Sequence, residues 1–207
     1  MSQTGRATRD RILDTGLDLL SASGFAGVTI GLLANQVGMS KSGLFAHFKS
    51  KEEIDIALLE RMAEVAHKRV VVPAMRAQEG LPRLTALVEN WLGWSTKAGL
   101  VGGCPAAAGM FELDDAGGPV RDKLLDLEKR WDKILKLIID ESIAAGELRK
   151  DLDVEQFIWE LMGIYLNHHA SRRFMRSRDA DMRAKKAFQG LVERSTPVRF
   201  KQAVKAR

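Results

Sequence analysis

The sequence predicts an all-α protein of about nine helices, and three observations support this fold class. Apolar residues recur at helical spacing through most of the chain, and no segment alternates with period two for long enough to indicate a strand. Pro82, Pro105 and Pro119 each stand where a helix can start, with glycines at the breaks between helices. With 207 residues, 45% of them hydrophobic, the chain can form one large or two small domains with a proper core.

The first helix is predicted from about Thr8 to Ser23. Ile12, Leu17 and Leu20 fall on one side of it and form a stripe that can face a core. Gly24 follows the last of these residues and is expected to end the helix.

The next stretch, residues 29–51, predicts two short helices joined by a tight turn. Thr29 is a suitable N-cap for the first helix, and Gly38 follows it where the chain needs a positive φ. Ser40 then caps a second short helix that has apolar residues four apart on one face and small or polar residues on the other. Such a pair is a helix-turn-helix, whose second helix can enter the major groove of DNA; the alternative is an ordinary helical hairpin.

A capping box follows this pair and opens the fourth helix. Ser50 and Glu53 have the spacing of that motif, so Lys49 and Lys51 are predicted to gather at a helix N-terminus, which attracts phosphate. The formal net charge of +5 permits nucleic-acid binding without demonstrating it.

The remainder is predicted to stay helical. A long helix from Lys51 towards Val72 is limited by Pro73. Further helices are predicted at residues 82–97, 105–113, 119–145, 153–174 and 179–194.

Residues 9–54 resemble the N-terminal DNA-binding domain of the tetracycline-repressor (TetR) family of bacterial transcription regulators. The resemblance lies in RILDTGLDLLSASGF, VTIGLLANQVGMSKSGLFAHF and KSKEEI, while the rest of the chain resembles the family in architecture. It implies a DNA-binding domain at 1–50 and a ligand-binding and dimerisation domain at 51–194. The basic segment 195–207 is expected to be a disordered tail.

The resemblance also implies which residues of the helix-turn-helix contact DNA. Thr29 and Lys51 would touch the sugar-phosphate backbone, and the segment from Ser40 to His47 would be the recognition helix. Two positions depart from the family pattern, because Phe45 stands where tyrosine is common and Gly43 where a hydroxylic residue is frequent. The candidate DNA-binding residues are Thr29, Ser40, Lys41, Ser42, Gly43, Phe45, Ala46, His47, Lys49 and Lys51.

The last two helices carry an apolar stripe that is wide for a single internal neighbour. It can pack inside one chain or against a second copy, and the resemblance favours a homodimer that binds a near-palindromic DNA operator. The candidate interface residues are Phe157, Leu161, Tyr165, Phe188 and Leu191.

The middle helices hold large aromatic and sulfur-containing residues that can line a pocket or simply form core. The candidate ligand-binding residues are Trp91, Trp94, Cys104, Met110, Phe111 and Trp131. The expected effector is a small apolar or amphipathic molecule, although Glu112, Asp114 and Asp115 can instead meet a cationic group.

The sequence thus predicts a cytoplasmic, homodimeric repressor that a small-molecule effector releases from its operator, with no cofactor and no metal. The absence of a long apolar run argues against membrane insertion. One alternative is a DNA-binding protein of this fold without a small-molecule switch. The other is a redox sensor or enzyme that acts through Cys104, the single cysteine, for which no base is identifiable, so an enzyme is not expected. His168 and His169 are interpreted as interface or surface residues, since adjacent helical residues chelate poorly.

Overall fold

The computed structural model describes residues 3–197, and side chains from residue 5 onwards. Within these residues the fold is all-α, as predicted, with eleven α-helical segments and no strand. The segments are α1 (Gln3–Gly27), α2 (Ile30–Gln36), α3 (Lys41–Phe45), α4 (Lys51–Ala66), α5 (Val72–Ala74), α6 (Leu81–Trp91), α7 (Trp94–Lys97), α8 (Pro105–Glu112), α9 (Pro119–Ala144), α10 (Val154–Arg173) and α11 (Ala180–Ser195). Because α5 and α7 are single turns, nine longer helices remain, which agrees with the predicted number.

The fourth helix does not stop at Ala66. The chain continues through a π-helical segment, His67–Val71, directly into α5, where Pro73 lies in the first turn. The predicted helix from Lys51 towards Val72 is therefore present, with a wider turn near its end.

The described residues form two compact units. One comprises residues up to His67 together with Ser95–Leu127, and the other comprises Lys68–Trp94 together with the chain from Glu128 onwards. The predicted division at residues 50 and 194 concerns function and stays a prediction. Of the predicted basic tail, residues 198–207 lie outside the described part of the chain.

In the first unit, α1 packs closely on α4. Ile12, Leu17 and Leu20 are buried, which confirms the predicted inward stripe. A Cβ atom at Gly16 would lie 2.7 Å from Leu58 Cδ2, so the absence of a side chain at residue 16 lets the two helices approach. Gly24 breaks the helical geometry with a φ of 70°, close to where the sequence predicts the end of the helix.

In the second unit, α10 and α11 pack on each other and are joined by polar contacts. His168 is only 4% exposed, and its Nε2 lies 2.7 Å from Asp181 Oδ1. The interpretation of His168 as a surface or interface residue is therefore wrong, because its ring binds the neighbouring helix of the same chain. Among the described residues, no helix is long and apolar enough to cross a membrane.

Candidate DNA-binding head and effector region

The helix-turn-helix forms through the local contacts that the sequence predicts. Thr29 Oγ1 accepts a hydrogen bond from Leu32 N at 3.1 Å, and Ser40 Oγ accepts one from Gly43 N at 3.0 Å. Both are N-caps that satisfy a backbone donor at a helix start. Gly38 has a φ of 68°, so the predicted positive φ is confirmed and the turn between α2 and α3 is tight.

The inner face of α3 is buried and its outer face is exposed. Leu44 lies on this inner face and is 0% exposed, and Phe48, just beyond the end of the helix, is 1% exposed; both hold the helix against the rest of the head, which we define as α1 to α3. The helix ends at Phe45, so Ala46 and His47 of the predicted recognition segment lie in the turn that follows it. The guanidinium of Arg9 lies 4.4 Å from the centre of the Phe48 ring, a cation–π contact that ties α1 to this core. Phe45 is 46% exposed, so its ring is available to another molecule. Lys41, Ser42 and Ala46 are also exposed, and Gly43 and His47 are half-buried.

The start of α4 has the predicted capping arrangement. Ser50 Oγ accepts from Glu53 N at 3.0 Å, and a Glu53 carboxylate oxygen accepts from Lys49 N at 2.7 Å. The Lys49 side chain is exposed.

Lys51 differs from Lys49 because its ammonium group is already engaged within the chain. Lys51 Nζ lies 2.5 and 2.6 Å from the two carboxylate oxygens of Asp55 and donates to Phe25 O at 3.3 Å. Asp55 is 7% exposed, and burial raises the pKa of its carboxyl group even though the Lys51 ammonium opposes that rise. The side chain of Lys51 therefore neutralises a buried acid, which leaves the backbone of the first turn of α4 as the part that can meet phosphate.

Glu112, at the end of α8, binds the chain where α1 ends. Its carboxylate accepts from Phe25 N at 2.9 Å and from Ala26 N at 2.7 Å. A Cβ atom at Gly24 would lie 2.5 Å from Glu112 Oε2, so a glycine leaves the room that the carboxylate needs. The charge of Glu112 also contributes to raising the pKa of Asp55, after the larger effect of burial. Glu112 thus has a structural role, because its carboxylate holds the end of α1.

The loop before α8 meets the same end of α1. Gly102 N donates to Ser21 Oγ and Gly103 N donates to Ser21 O, both at 2.9 Å. A side chain at Gly102 would overlap the backbone carbonyl of Ser21. We call this set of contacts the Phe25 junction; its residues are Ser21, Gly24, Phe25, Ala26, Lys51, Asp55, Gly102, Gly103 and Glu112.

The six candidate ligand-binding residues divide between the two units. Cys104, Met110 and Phe111 belong to the first unit, where Cys104 is buried and Phe111 is 67% exposed. The three tryptophans belong to the second unit. Whether any of the six binds a ligand stays a prediction.

The three tryptophans and Tyr165 form an aromatic cluster, defined as Trp91, Trp94, Trp131 and Tyr165, in which Trp131 contacts Trp91. The rings of Trp91 and Tyr165 stack with centroids 4.0 Å apart, and those of Trp91 and Trp131 lie 4.8 Å apart at an angle of 58°. Trp94 Nε1 donates to the Tyr165 hydroxyl at 3.0 Å. Trp131 Nε1 is buried and has no acceptor among the described residues.

A carboxyl group lies one helical turn before Trp131. Glu128 is half-buried in α9, and burial, with a further contribution from the charge of Asp132, raises its pKa to about 7. Burial also raises the pKa of Asp132 itself. The described part of the chain contains no group of three or more side chains that could hold a metal ion.

The five candidate interface residues are buried inside the single chain. Phe157 and Leu161 are each 1% exposed, Leu191 is 2%, and Tyr165 and Phe188 are each 5%. Surface that is already removed from water cannot be buried again by a partner. On α10, Trp159 is instead 72% exposed, and a Cβ atom added at Gly163 would meet nothing within 4 Å.

Sequence reasoning missed two residues that shape these regions. From the sequence, Glu112 is expected only to meet a cationic ligand, and Glu128 is not among the candidate residues. A carboxylate at the end of a helix is an ordinary sequence feature, so nothing local indicated that Glu112 binds Phe25, 87 positions away. Glu128 lies on the same side of α9 as Trp131 by helical spacing, and that pairing was the available signal.

A helix-turn-helix with an exposed outer face, followed by a larger set of helices, is an arrangement typical of all-α DNA-binding transcription regulators. Comparison with known protein families identifies the family of this chain. Residues 12–58 match the N-terminal model described as bacterial regulatory proteins of the tetR family, and residues 80–188 match the tetracyclin repressor-like C-terminal domain. The chain belongs to the TetR family.

Curated relatives are regulators and a nucleoid factor. The chain is 26% identical over 148 residues to the fatty acid metabolism regulator protein of Bacillus subtilis (strain 168), covering 70% of this chain and 72% of that protein. It is 29% identical over 151 residues to the nucleoid occlusion factor SlmA of Aliivibrio fischeri (strain MJ11), covering 68% and 77%. It is 27% identical over 123 residues to the HTH-type transcriptional repressor NemR of Escherichia coli (strain K12), covering 58% and 61%.

Solved structures share the fold at low identity. A TetR transcriptional regulator from Chloroflexus aurantiacus J-10-fl superposes with a TM-score of 0.82 at 23% identity, covering 93% of this chain and 96% of that one. FadR from Bacillus subtilis in complex with stearoyl-CoA superposes with a TM-score of 0.71 at 20% identity, covering 88% of this chain and 97% of that one. A transcriptional regulator from Saccharomonospora viridis in complex with choline gives 0.76 at 21%, covering 93% and 99%.

Proposed function

We propose that this TetR-family regulator is a repressor that binds a near-palindromic operator as a homodimer and leaves it when a small molecule binds its C-terminal region. The exposed outer face of α3, held by a buried inner face, carries this proposal. Similarity to a transcriptional repressor and to a fatty acid metabolism regulator supports the regulatory role.

The recognition surface offers few long side chains. Lys41 has the length to reach guanine in the major groove, and the exposed Phe45 ring and Ala46 methyl group suit thymine methyl groups. His47 Nδ1 is buried and has no partner among the described residues, so this half-buried ring would meet a base or phosphate through its other nitrogen. Specificity is therefore expected to be spread over several weak contacts and the shape of the DNA.

Phosphate contacts would fix the head on the duplex. Thr29 and Ser40 stand at helix starts, and Lys49 presents an exposed charge before α4. For Lys51 we propose contact through its backbone, because its ammonium group is bound to Asp55.

Dimerisation would use the outer face of α10. The five predicted interface residues would support this face from inside the chain; they are Phe157, Leu161, Tyr165, Phe188 and Leu191. The face itself contains Trp159, Met162, Gly163, Leu166 and Ala170. Gly163 has open space above it, which lets a second helix approach closely.

Release of the operator would be a population shift. An effector that binds one conformation of the C-terminal helices better than another changes the separation of the two heads in the dimer, so that they no longer match successive major grooves. The fourth helix is the chain's continuous connection between the head and the later helices through His67–Val71. Similar structures carry ligands as different as stearoyl-CoA and choline, so the effector class of this chain depends on its own residues.

The test of DNA reading is a selection of bound sequences from a random duplex library at controlled salt. Enrichment of an inverted repeat with half-sites about one helical turn apart, or slightly more, is expected. Lys41→Ala and His47→Ala should each weaken binding to that sequence by about 1–3 kcal/mol. The control is Lys186→Ala, which removes an exposed charge from α11. Wild-type affinity in both head variants, or no enriched sequence, contradicts the proposal.

The test of dimerisation is sedimentation of Trp159→Glu and Gly163→Leu. Both are expected to shift the protein towards monomer, because one buries a charge and the other fills the space that a second helix needs. Gln189→Glu, an exposed change on α11, is the control. Circular dichroism checks that each variant is folded, and dimers of unchanged stability in both variants would exclude this face.

A further inference from the structure

The aromatic cluster and Glu128 together carry an inference about the effector. Trp91 stacks on Tyr165 and packs at an angle of 58° against Trp131. The polar atoms of Trp94 and Tyr165 bind each other. Trp131 therefore stands out within the cluster, because its buried Nε1 has no acceptor among the described residues.

Glu128 is the second unusual group, and it is close to the first. Residues three apart on a helix are neighbours on its surface, so Glu128 and Trp131 share one side of α9. The structure shows no cation within ion-pair distance of Glu128 among the residues that it describes, while Asp132, one turn further on, adds a like charge. This side of α9 therefore combines two acids, an indole donor and an aromatic support.

These groups have complementary needs. A carboxylate without a cation is stabilised by a positive ligand group, and the face of an indole ring attracts a cation. A buried N–H requires an acceptor. A single molecule meets these needs if it carries an organic cation and a hydrogen-bond acceptor a few atoms away. A purely apolar effector leaves both polar groups unmet.

We propose that Glu128 and Trp131, supported by Trp91 and Tyr165, form a subsite for an organic ammonium group whose molecule also carries a hydroxyl or carbonyl oxygen. The carboxylate of Glu128 attracts the cation, the Trp131 ring lies against it, and Trp131 Nε1 donates to the oxygen. This deepens the proposed function by naming the effector class, and it narrows the expected apolar or amphipathic effector to a cationic one.

The experiment is calorimetric titration of the full-length protein at pH 8 with three probes and no DNA. Choline carries a quaternary ammonium and a hydroxyl, 3,3-dimethylbutan-1-ol is its uncharged isostere, and tetramethylammonium lacks the hydroxyl. Choline is expected to bind at least about tenfold more tightly than the isostere, because the isostere lacks the charge that Glu128 and the indole face attract. Choline binding that does not exceed that of the isostere, including no binding by either, overturns the proposal.

Two variants separate the roles of the two residues. Glu128→Gln should remove the preference for choline over its isostere, whereas Asp140→Asn, an exposed change on the same helix, should keep it. In the wild type, the hydroxyl group should make choline bind more tightly than tetramethylammonium, because Trp131 Nε1 donates to it. Trp131→Phe keeps an aromatic face but removes the N–H, so this difference in affinity should disappear. A preference for choline that survives Glu128→Gln contradicts the assignment even if Trp131→Phe does not fold.

The titration also separates this inference from the proposed function. It contains no DNA, so failure to bind choline leaves operator recognition unaffected. Failure to select an operator, with choline bound as expected, would instead overturn repression and leave the cation subsite standing.

Discussion

The polar groups of the Phe25 junction have hydrogen-bond or ion-pair partners, whereas, within the described part of the chain, two polar groups in and beside the aromatic cluster lack them. At the junction, the Glu112 carboxylate binds two backbone N–H groups and the Asp55 carboxylate binds Lys51. In the cluster, Trp131 Nε1 is buried without an acceptor among the described residues, and burial raises the pKa of the neighbouring Glu128 to about 7. A network in which every buried polar group has a hydrogen-bond partner holds its side chains in one arrangement. Buried polar groups that lack a partner in a folded protein instead mark a place where function competes with stability.

The junction is therefore a structural region, and the cluster is the region for which we propose a ligand. Disrupting the junction should therefore lower the stability of the first unit. Removing the charge of Glu128, which has no cation beside it among the described residues, should raise the stability of the protein. Four substitutions test this difference.

Gly102→Ala should have the largest effect, because a Cβ at this position would overlap the backbone of Ser21. The loop must move and lose its two hydrogen bonds to Ser21, so we expect the free energy of unfolding to fall by about 2–4 kcal/mol. Denaturant unfolding measures this change. Gly117→Ala is the control, since an added Cβ there meets nothing within 4 Å. Equal stability of the two variants would show that the loop is not held at the junction.

Lys51→Met should be next, with a loss of about 1–3 kcal/mol, because it leaves the 7%-exposed Asp55 without its cation. Lys49→Met should leave stability unchanged and weaken DNA binding, since the Lys49 side chain is exposed. Thermal unfolding and operator binding are measured for both variants. A Lys51 variant as stable as the wild type would indicate that its ammonium is free for DNA after all.

Glu112→Gln should lower the free energy of unfolding by about 1–2 kcal/mol, because an amide has one acceptor oxygen for two backbone donors at Phe25 and Ala26. It should also lower the pKa of Asp55, since the nearby Glu112 charge contributes to raising it. Chemical denaturation gives the stability, with Glu193→Gln on an exposed position of α11 as the control. An unchanged midpoint would mean that the carboxylate does not hold the head.

Glu128→Gln should act in the opposite direction and stabilise the protein at pH 8, because it removes a charge that burial makes unfavourable. The expected gain is about 1–2 kcal/mol, since water partly screens this half-buried charge. The pKa of Glu128 is about 7 in the folded protein against 4.5 for the ordinary value. The folded state therefore holds the proton more strongly, and the wild type loses stability as pH rises from about 4.5 to about 7. The gain in the variant should consequently disappear near pH 4.5, which melting curves across this range measure; a gain that does not vary with pH would contradict the assignment.

Features that depend on neighbours a few residues apart are predictable from the sequence alone. The all-α class, the caps at Thr29 and Ser40 and the positive φ of Gly38 were all predicted, because a cap or a turn is made by side chains within one helical turn. The family resemblance rests on the same local pattern.

The tertiary structure decided which partner each side chain meets. Lys49 and Lys51 look alike in the sequence, yet only folding brings the Lys51 ammonium to Phe25 O and Asp55. The apolar stripe of α10 has the same spacing whether it packs inside one chain or against a copy, and the structure buries Leu161 internally while exposing Trp159. Periodicity records that a face is apolar, but the identity of the surface that covers it depends on residues far away in the chain, as for the bond between Glu112 and Phe25.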